Sequence, residues 1–125
     1  MISLNIQDYF ENAPSVVTVG TFDGVHLGHR KLIDKVISIS KSKNLRSIIL
    51  TFSPHPRIVL NNDADIKLLT TQREKNEIFR SYNIDYLLTQ DFSKSFSKLS
   101  PIEFVRDILV KKLNVKHIAV SYTHL

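Results

Sequence analysis

All three glycines of the chain, Gly20, Gly24 and Gly28, fall within nine residues. Glycine permits backbone conformations and close approaches that a Cβ forbids, so this clustering marks one place where backbone geometry is specialised. The stretch reads Val16-Val17-Thr18-Val19-Gly20-Thr21-Phe22-Asp23-Gly24-Val25-His26-Leu27-Gly28-His29-Arg30-Lys31-Leu32. It opens with a β-branched run, passes through the glycines and ends in a helical pattern. That order predicts a strand over Ser15–Val19, a loop open to a ligand, and a helix whose start faces an anion.

The remaining chain alternates in the same way. Leu32, Ile33, Val36, Ile37, Ile39 and Ser40 form a helical stripe, closed by the basic and αL-tolerant residues Lys41-Ser42-Lys43-Asn44. Arg46 to Phe52 is a second buried strand, stopped by Ser53-Pro54-His55-Pro56. Strand, helix and strand make a βαβ unit, which should cross over right-handed. Residues 58–65 read as an irregular loop, and Thr71-Gln72-Arg73-Glu74 as a capping box opening a helix that holds Ile78 and Phe79 and frays near Ser81.

Asp85–Thr89 is the third predicted strand, and Phe92–Lys98 a polar loop with two aromatics. Ser100-Pro101-Ile102-Glu103 is a second capping box, with proline at the first helical position. Its helix is expected to show Phe104, Val105, Ile108, Leu109 and Leu113 on one face, before a fourth strand over Lys116–Val120. Residues 1–14 read only as a lead-in. The expected fold class is α/β, a Rossmann-like doubly wound parallel sheet with helices on both faces.

Length and composition narrow the function classes. At 125 residues one domain is expected, and 42% apolar with 23% charged residues is ordinary for a globular chain. The absence of cysteine excludes a disulfide framework, a thiolate nucleophile and a cysteine zinc site. The first ten residues lack the basic start and unbroken apolar core of a signal peptide, and no apolar run reaches membrane-spanning length. A cytoplasmic protein without a membrane partner is the expectation. The formal charge of +5 and isoelectric point near 9.6 invite an anionic partner. The basic residues are scattered and no aromatic–basic stripe appears, so a nucleic-acid binder is the least favoured reading.

In doubly wound sheets, ligands bind at the carboxyl ends of strands near the point where strand order reverses. A glycine loop there lets the backbone approach a phosphate, and the next helix offers unpaired N–H groups. His26 and His29 are three apart, so they share one face if the helix has begun by His26. The helix end favours an anion by roughly 0.3–1 kcal/mol when exposed. A preorganised donor to charge growing in a transition state contributes on the order of 3–4 kcal/mol. The two imidazoles therefore matter more than the dipole. The plainer reading, in which the histidines are caps or turn residues, has to explain why glycines, histidines and a strand–loop–helix context coincide.

Gly20-Thr21-Phe22-Asp23-Gly24-Val25-His26-Leu27-Gly28-His29 matches the nucleotidyltransferase pattern with a His-x-Gly-His core. Together with Thr51-Phe52-Ser53-Pro54-His55-Pro56, it resembles the FMN adenylyltransferase module of prokaryotic bifunctional riboflavin kinase/FAD synthetases. Leu68-Leu69-Thr70, Glu74-Lys75 and Ser100-Pro101-Ile102-Glu103-Phe104 resemble that family in order and spacing, so the likeness covers roughly residues 14–120.

The resemblance implies transfer of AMP from ATP to the terminal phosphate of FMN, giving FAD and pyrophosphate, with Mg²⁺ neutralising charge. His26 and His29 are then the catalytic pair on the ATP phosphates. Gly20, Thr21, Phe22, Asp23, Gly24 and Gly28 shape the ATP pocket with them. Phe52, Pro54, His55 and Pro56 form the FMN side. The plainer use of Pro54-His55-Pro56 is a strand-stopping turn. Arg57 could meet a phosphate, Asp23 a metal, and Phe92 and Phe96 a flavin; solvated arginine, turn aspartate and core-covering aromatics are the commoner uses.

The likeness breaks after the fourth strand. The family continues into Gly-x-Asp/Asn-Phe-x-Phe-Gly, where this chain reads Val120-Ser121-Tyr122-Thr123-His124-Leu125. The family's Ser-Ser-Thr-x-Ile-Arg motif and riboflavin kinase barrel do not follow. The expectation is one incomplete nucleotidyltransferase domain over 1–125, family-like over 15–120, with a foreign tail over 121–125 and little or no turnover. The alternatives are another His-x-Gly-His transferase, acting on glycerol phosphate, phosphopantetheine or a nicotinamide nucleotide, and a catalytically silent nucleotide-binding fragment.

Overall fold

A computed structural model describes residues 1–22, 27–54 and 72–120. Within them lie five strands: β1 (Ile2–Asn5), β2 (Ser15–Val19), β3 (Arg46–Ser53), β4 (Tyr86–Asp91) and β5 (Val115–Ala119). All neighbours run parallel, in the order β1-β4-β3-β2-β5. The helices are α1 (Leu27–Lys43), α2 (Gln72–Arg80), α3 (Lys94–Ser97) and α4 (Pro101–Glu103), the last running on as a π-helix over Phe104–Lys112.

The strands are near-continuous apolar runs because both faces of the sheet are covered. Val16, Ile49 and Leu87 face the side that buries Leu32, Ile33 and Val36 of α1 and Phe79 of α2. Val17, Ile48, Leu50, Tyr86 and Leu88 face the other side, under Ile6, Tyr9, Leu109 of the π-helix and its C-cap Leu113. Neighbouring residues alternate between the two cores, as a strand's period of two requires. The predicted α1 stripe and doubly wound class are what the chain adopts. Asn44 takes φ 53°, and the Leu45 N–H reaches the Ser40 carbonyl at 3.0 Å, closing α1 with the expected left-handed cap.

Four expectations are corrected. Residues 1–14 are more than a lead-in: Ile2–Asn5 is an edge strand beside β4, and the 3₁₀ turn Ile6–Asp8 carries buried Ile6 toward buried Tyr9. The Phe92–Lys98 loop contains α3, whose N-cap Ser93 accepts from the Phe96 N–H at 3.0 Å. Val105 is 43% exposed and does not share the buried face. Bonds reaching five residues back, such as Leu113 N–H to the Ile108 carbonyl at 3.0 Å, widen each turn beyond 3.6 residues. Phe104, Ile108, Leu109 and Leu113 then line the core and Val105 turns outward. The last strand begins and ends one residue earlier than expected and is the fifth, not the fourth.

The Ser100 capping box is present in full, with Glu103 N–H to Ser100 Oγ at 3.1 Å and Ser100 N–H to Glu103 Oε1 at 3.2 Å. The loop over 58–65, Thr71 of the other box and the tail over 121–125 lie outside the described residues.

Topology decides where a ligand can sit. From β2 the chain steps to β3 and then β4 in one direction, and returns to lay β5 on β2's opposite side. Strand order therefore reverses at β2. The crevice at its carboxyl end is the switch point, and the glycine stretch begins there.

Candidate functional site

Beyond β2, the Gly20 N–H donates to the Leu50 carbonyl at 3.0 Å and prolongs the ladder onto β3. Thr51, a hydroxyl buried within an apolar strand, donates through Oγ1 to the Thr21 carbonyl at 3.2 Å. Phe22 then enters the left-handed region at φ 53°, an outlier for a bulky side chain. That reversal turns the ring inward, where it is 3% exposed. A Cβ on Gly20 would stand 3.1 Å from Cε2 of this ring, a tight contact that would press on it.

α1 begins at Leu27, which places His29 in its first turn, where backbone N–H groups lack partners within the helix. The His29 ring lies 5.2 Å from the Phe22 ring at an interplanar angle of 63°. Its Nδ1 is shut off from solvent, so a ligand outside can be met only by Nε2. Phe79 of α2 braces the other flank of Phe22, with centroids 5.6 Å apart and planes at 89°.

One strand over, the end of β3 carries a second group. Phe52 stands 5.6 Å from Phe92 and 6.0 Å from Phe96, and Phe96 in turn lies 6.1 Å from Phe104. The Phe92 N–H donates to the Ser53 carbonyl at 2.9 Å, and the Ser53–Pro54 peptide is cis. The aromatics of the predicted polar loop thus pack on one another and on Phe52.

The structure brings Gly20, Thr21, Phe22 and His29 together at the end of β2, with Phe52 and Pro54 at the adjacent strand end. Gly28 lies in the first turn of α1. Asp23, Gly24, His26, His55, Pro56 and Arg57 lie outside the described residues, and with His26 the expectation that both histidines share a helix face. Among the described residues, no three His, Asp or Glu side chains group as a metal site. Sequence reasoning missed Thr51 and Phe79. The signal for Thr51 was a hydroxyl inside the run Ile48-Ile49-Leu50-Thr51-Phe52, where an unpaired polar group is costly.

Comparison with known proteins gives this geometry a family. A family model described as FAD synthetase matches residues 9–124. The chain belongs to the FAD synthetase family. It is 42% identical over 110 residues to the bifunctional riboflavin kinase/FMN adenylyltransferase of Buchnera aphidicola subsp. Schizaphis graminum, covering 88% of this chain and 35% of that protein. The Listeria monocytogenes enzyme of that name is 36% identical over 118 residues, covering 94% and 37%, and the Escherichia coli K12 one 37% over 106, covering 85% and 34%.

The chain spans about a third of the length of these curated relatives. A crystal structure described as a macrolide-efflux protein from Streptococcus pneumoniae superposes with a TM-score of 0.81 at 27% identity, over 95% of this chain and 40% of that one. Among the described residues, no helix is long and apolar enough to cross a membrane.

Proposed function

We propose that this FAD-synthetase-family chain is the nucleotidyltransferase part of an FMN adenylyltransferase. It binds MgATP at the end of β2, and within the full-length enzyme it passes AMP to FMN. A phosphate oxygen of FMN forms a bond to the α-phosphorus as the bond to the bridging β-oxygen breaks, so FAD forms and pyrophosphate leaves. No protein nucleophile is needed, and catalysis is positioning plus electrostatic stabilisation. Mg²⁺ enters as part of the MgATP substrate and offsets the triphosphate's charge.

The observation that carries the reading is the strand-order reversal at β2 with His29 on the first turn of the following helix. His29 Nε2 and the first-turn amides of α1 donate to phosphate oxygens, and His26 is the partner imidazole. Gly20, Thr21, Asp23, Gly24 and Gly28 let the backbone approach ATP. Phe52 and Pro54, with His55 and Pro56, form the FMN side, where the Phe52–Phe92–Phe96 cluster suits a flat apolar ring. Residues 15–120 are the family-like part of one nucleotidyltransferase domain, which acts in the cytoplasm.

Titration with MgATP and FMN, followed by chromatography for FAD, tests the reading. In a full-length bifunctional protein that carries this module, replacing His26 and His29 together by alanine is expected to lower FAD formation by about 10²–10³-fold while FMN affinity changes little. Unchanged turnover removes the mechanism. Preference for glycerol phosphate, phosphopantetheine or nicotinamide mononucleotide over FMN assigns a different acceptor.

A further inference from the structure

We propose that Phe22 is a positioning residue whose ring fixes the plane of the His29 imidazole and so presents Nε2 to the ligand. The χ2 torsion of histidine is broad and roughly two-fold, so the helix backbone alone does not set the ring plane. A wall does, and Phe22 is that wall, 5.2 Å away at 63°. Phe22 is itself held from two sides. Gly20 lies beneath it, close enough that an added Cβ would come within 3.1 Å, and Phe79 stands edge-on at 5.6 Å and 89°.

Filling the core would not by itself require this arrangement. Phe22 reaches its place only through a left-handed backbone at φ 53°, and such outliers persist where the surroundings over-determine them. The surroundings here are the Gly20 and Thr21 ties to β3, through the Leu50 carbonyl at 3.0 Å and the Thr51 hydroxyl at 3.2 Å. The contact thus links the end of β2, the side of β3, α2 and the first turn of α1 at one ring. With Nδ1 shut off from solvent, a fixed plane leaves Nε2 pointing one way.

The effect on ATP rests on the function proposed above; the orientation of the imidazole does not. The test follows the ring-proton resonances of His29 and MgATP affinity in the 125-residue chain, for wild type, Phe22→Leu, Gly20→Ala and Leu87→Val. Leucine keeps apolar bulk but carries no ring current. Losing the ring current moves the His29 resonances in Phe22→Leu whatever the ring plane, so that variant is read by MgATP binding. Its binding is expected to weaken about tenfold, the scale of one lost aromatic pair. Gly20→Ala, which removes no side chain, is expected to displace the same resonances by pressing on the ring, and keeps the test open if the leucine variant fails to fold.

Leu87 lies in the same core, so Leu87→Val is expected to lower stability yet leave both readouts in place. Unmoved His29 resonances in Gly20→Ala or undiminished MgATP binding in Phe22→Leu overturn the proposal, as does an equal response to Leu87→Val. Displaced His29 resonances in Gly20→Ala, beside a wild-type chain that binds no MgATP, uphold the orienting role and overturn the ATP reading alone.

Discussion

Thr51 and Ser47 show how single hydroxyls act inside β3. Thr51 Oγ1 fastens the Thr21 carbonyl, the last tie before the chain reverses at Phe22. Thr51→Val keeps the shape and removes the donor, and a typical net hydrogen bond sets the expected loss at about 1 kcal/mol. Ser47, fully buried at the opposite end of the strand, does more. Its N–H and Oγ meet Asp85 Oδ2 at 2.9 and 3.1 Å, while the Asp85 N–H donates to its Oγ at 2.8 Å. Ser47→Ala strands a backbone donor as well as part of a carboxylate, so a loss of about 2 kcal/mol is expected. Urea unfolding of the two variants checks both values, and a larger loss for Thr51→Val would reverse the ranking.

Elements were legible in the sequence where local chemistry alone defines them. The box Ser100-Pro101-Ile102-Glu103 needs only its own side chains and backbone, and it forms as written. Ser100→Ala is expected to cost about 1 kcal/mol, read as a lowered urea midpoint, with an unchanged midpoint counting against the cap. Asn44 likewise closes α1 as its tolerance of positive φ suggests. Two other elements depend on distant partners. Ile2–Asn5 is four residues long with an exposed start, and becomes a strand only because β4 offers a free parallel edge. The π-helix depends on fitting Phe104, Ile108, Leu109 and Leu113 over the second core, and an α-helical period assigned Val105 to the wrong side. At the site, the glycine–histidine spacing located the loop, but nothing local revealed that Phe22 folds inward against His29 and Phe79.

Across the whole molecule, the second core is closed by residues far apart in the chain. Tyr9 and Tyr86 meet edge to face at 5.0 Å and 80°, beside Glu11 and Arg46, which pair at 3.5 Å. Burial, then the hydrogen bond to the Glu11 carboxylate and its negative charge, pushes the Tyr86 phenol up to about 12 from its ordinary 10.0. Burial moves Tyr9 in the same direction. A folded state that keeps its proton while the unfolded chain releases it loses stability as pH rises. The contribution of Tyr86 is therefore complete below pH 10 and falls away between pH 10 and about 12. Tyr86→Phe retains the ring contact with Tyr9 and removes the titrating group, so its urea midpoint is expected to decline less steeply than wild type across that window. Tyr9, shifted the same way, adds to the slope in both proteins. Tyrosinate absorbance recorded alongside is expected to lose its highest-pH component in the variant. Parallel declines in the two proteins would place the alkaline weakness elsewhere than under the N-terminal segment.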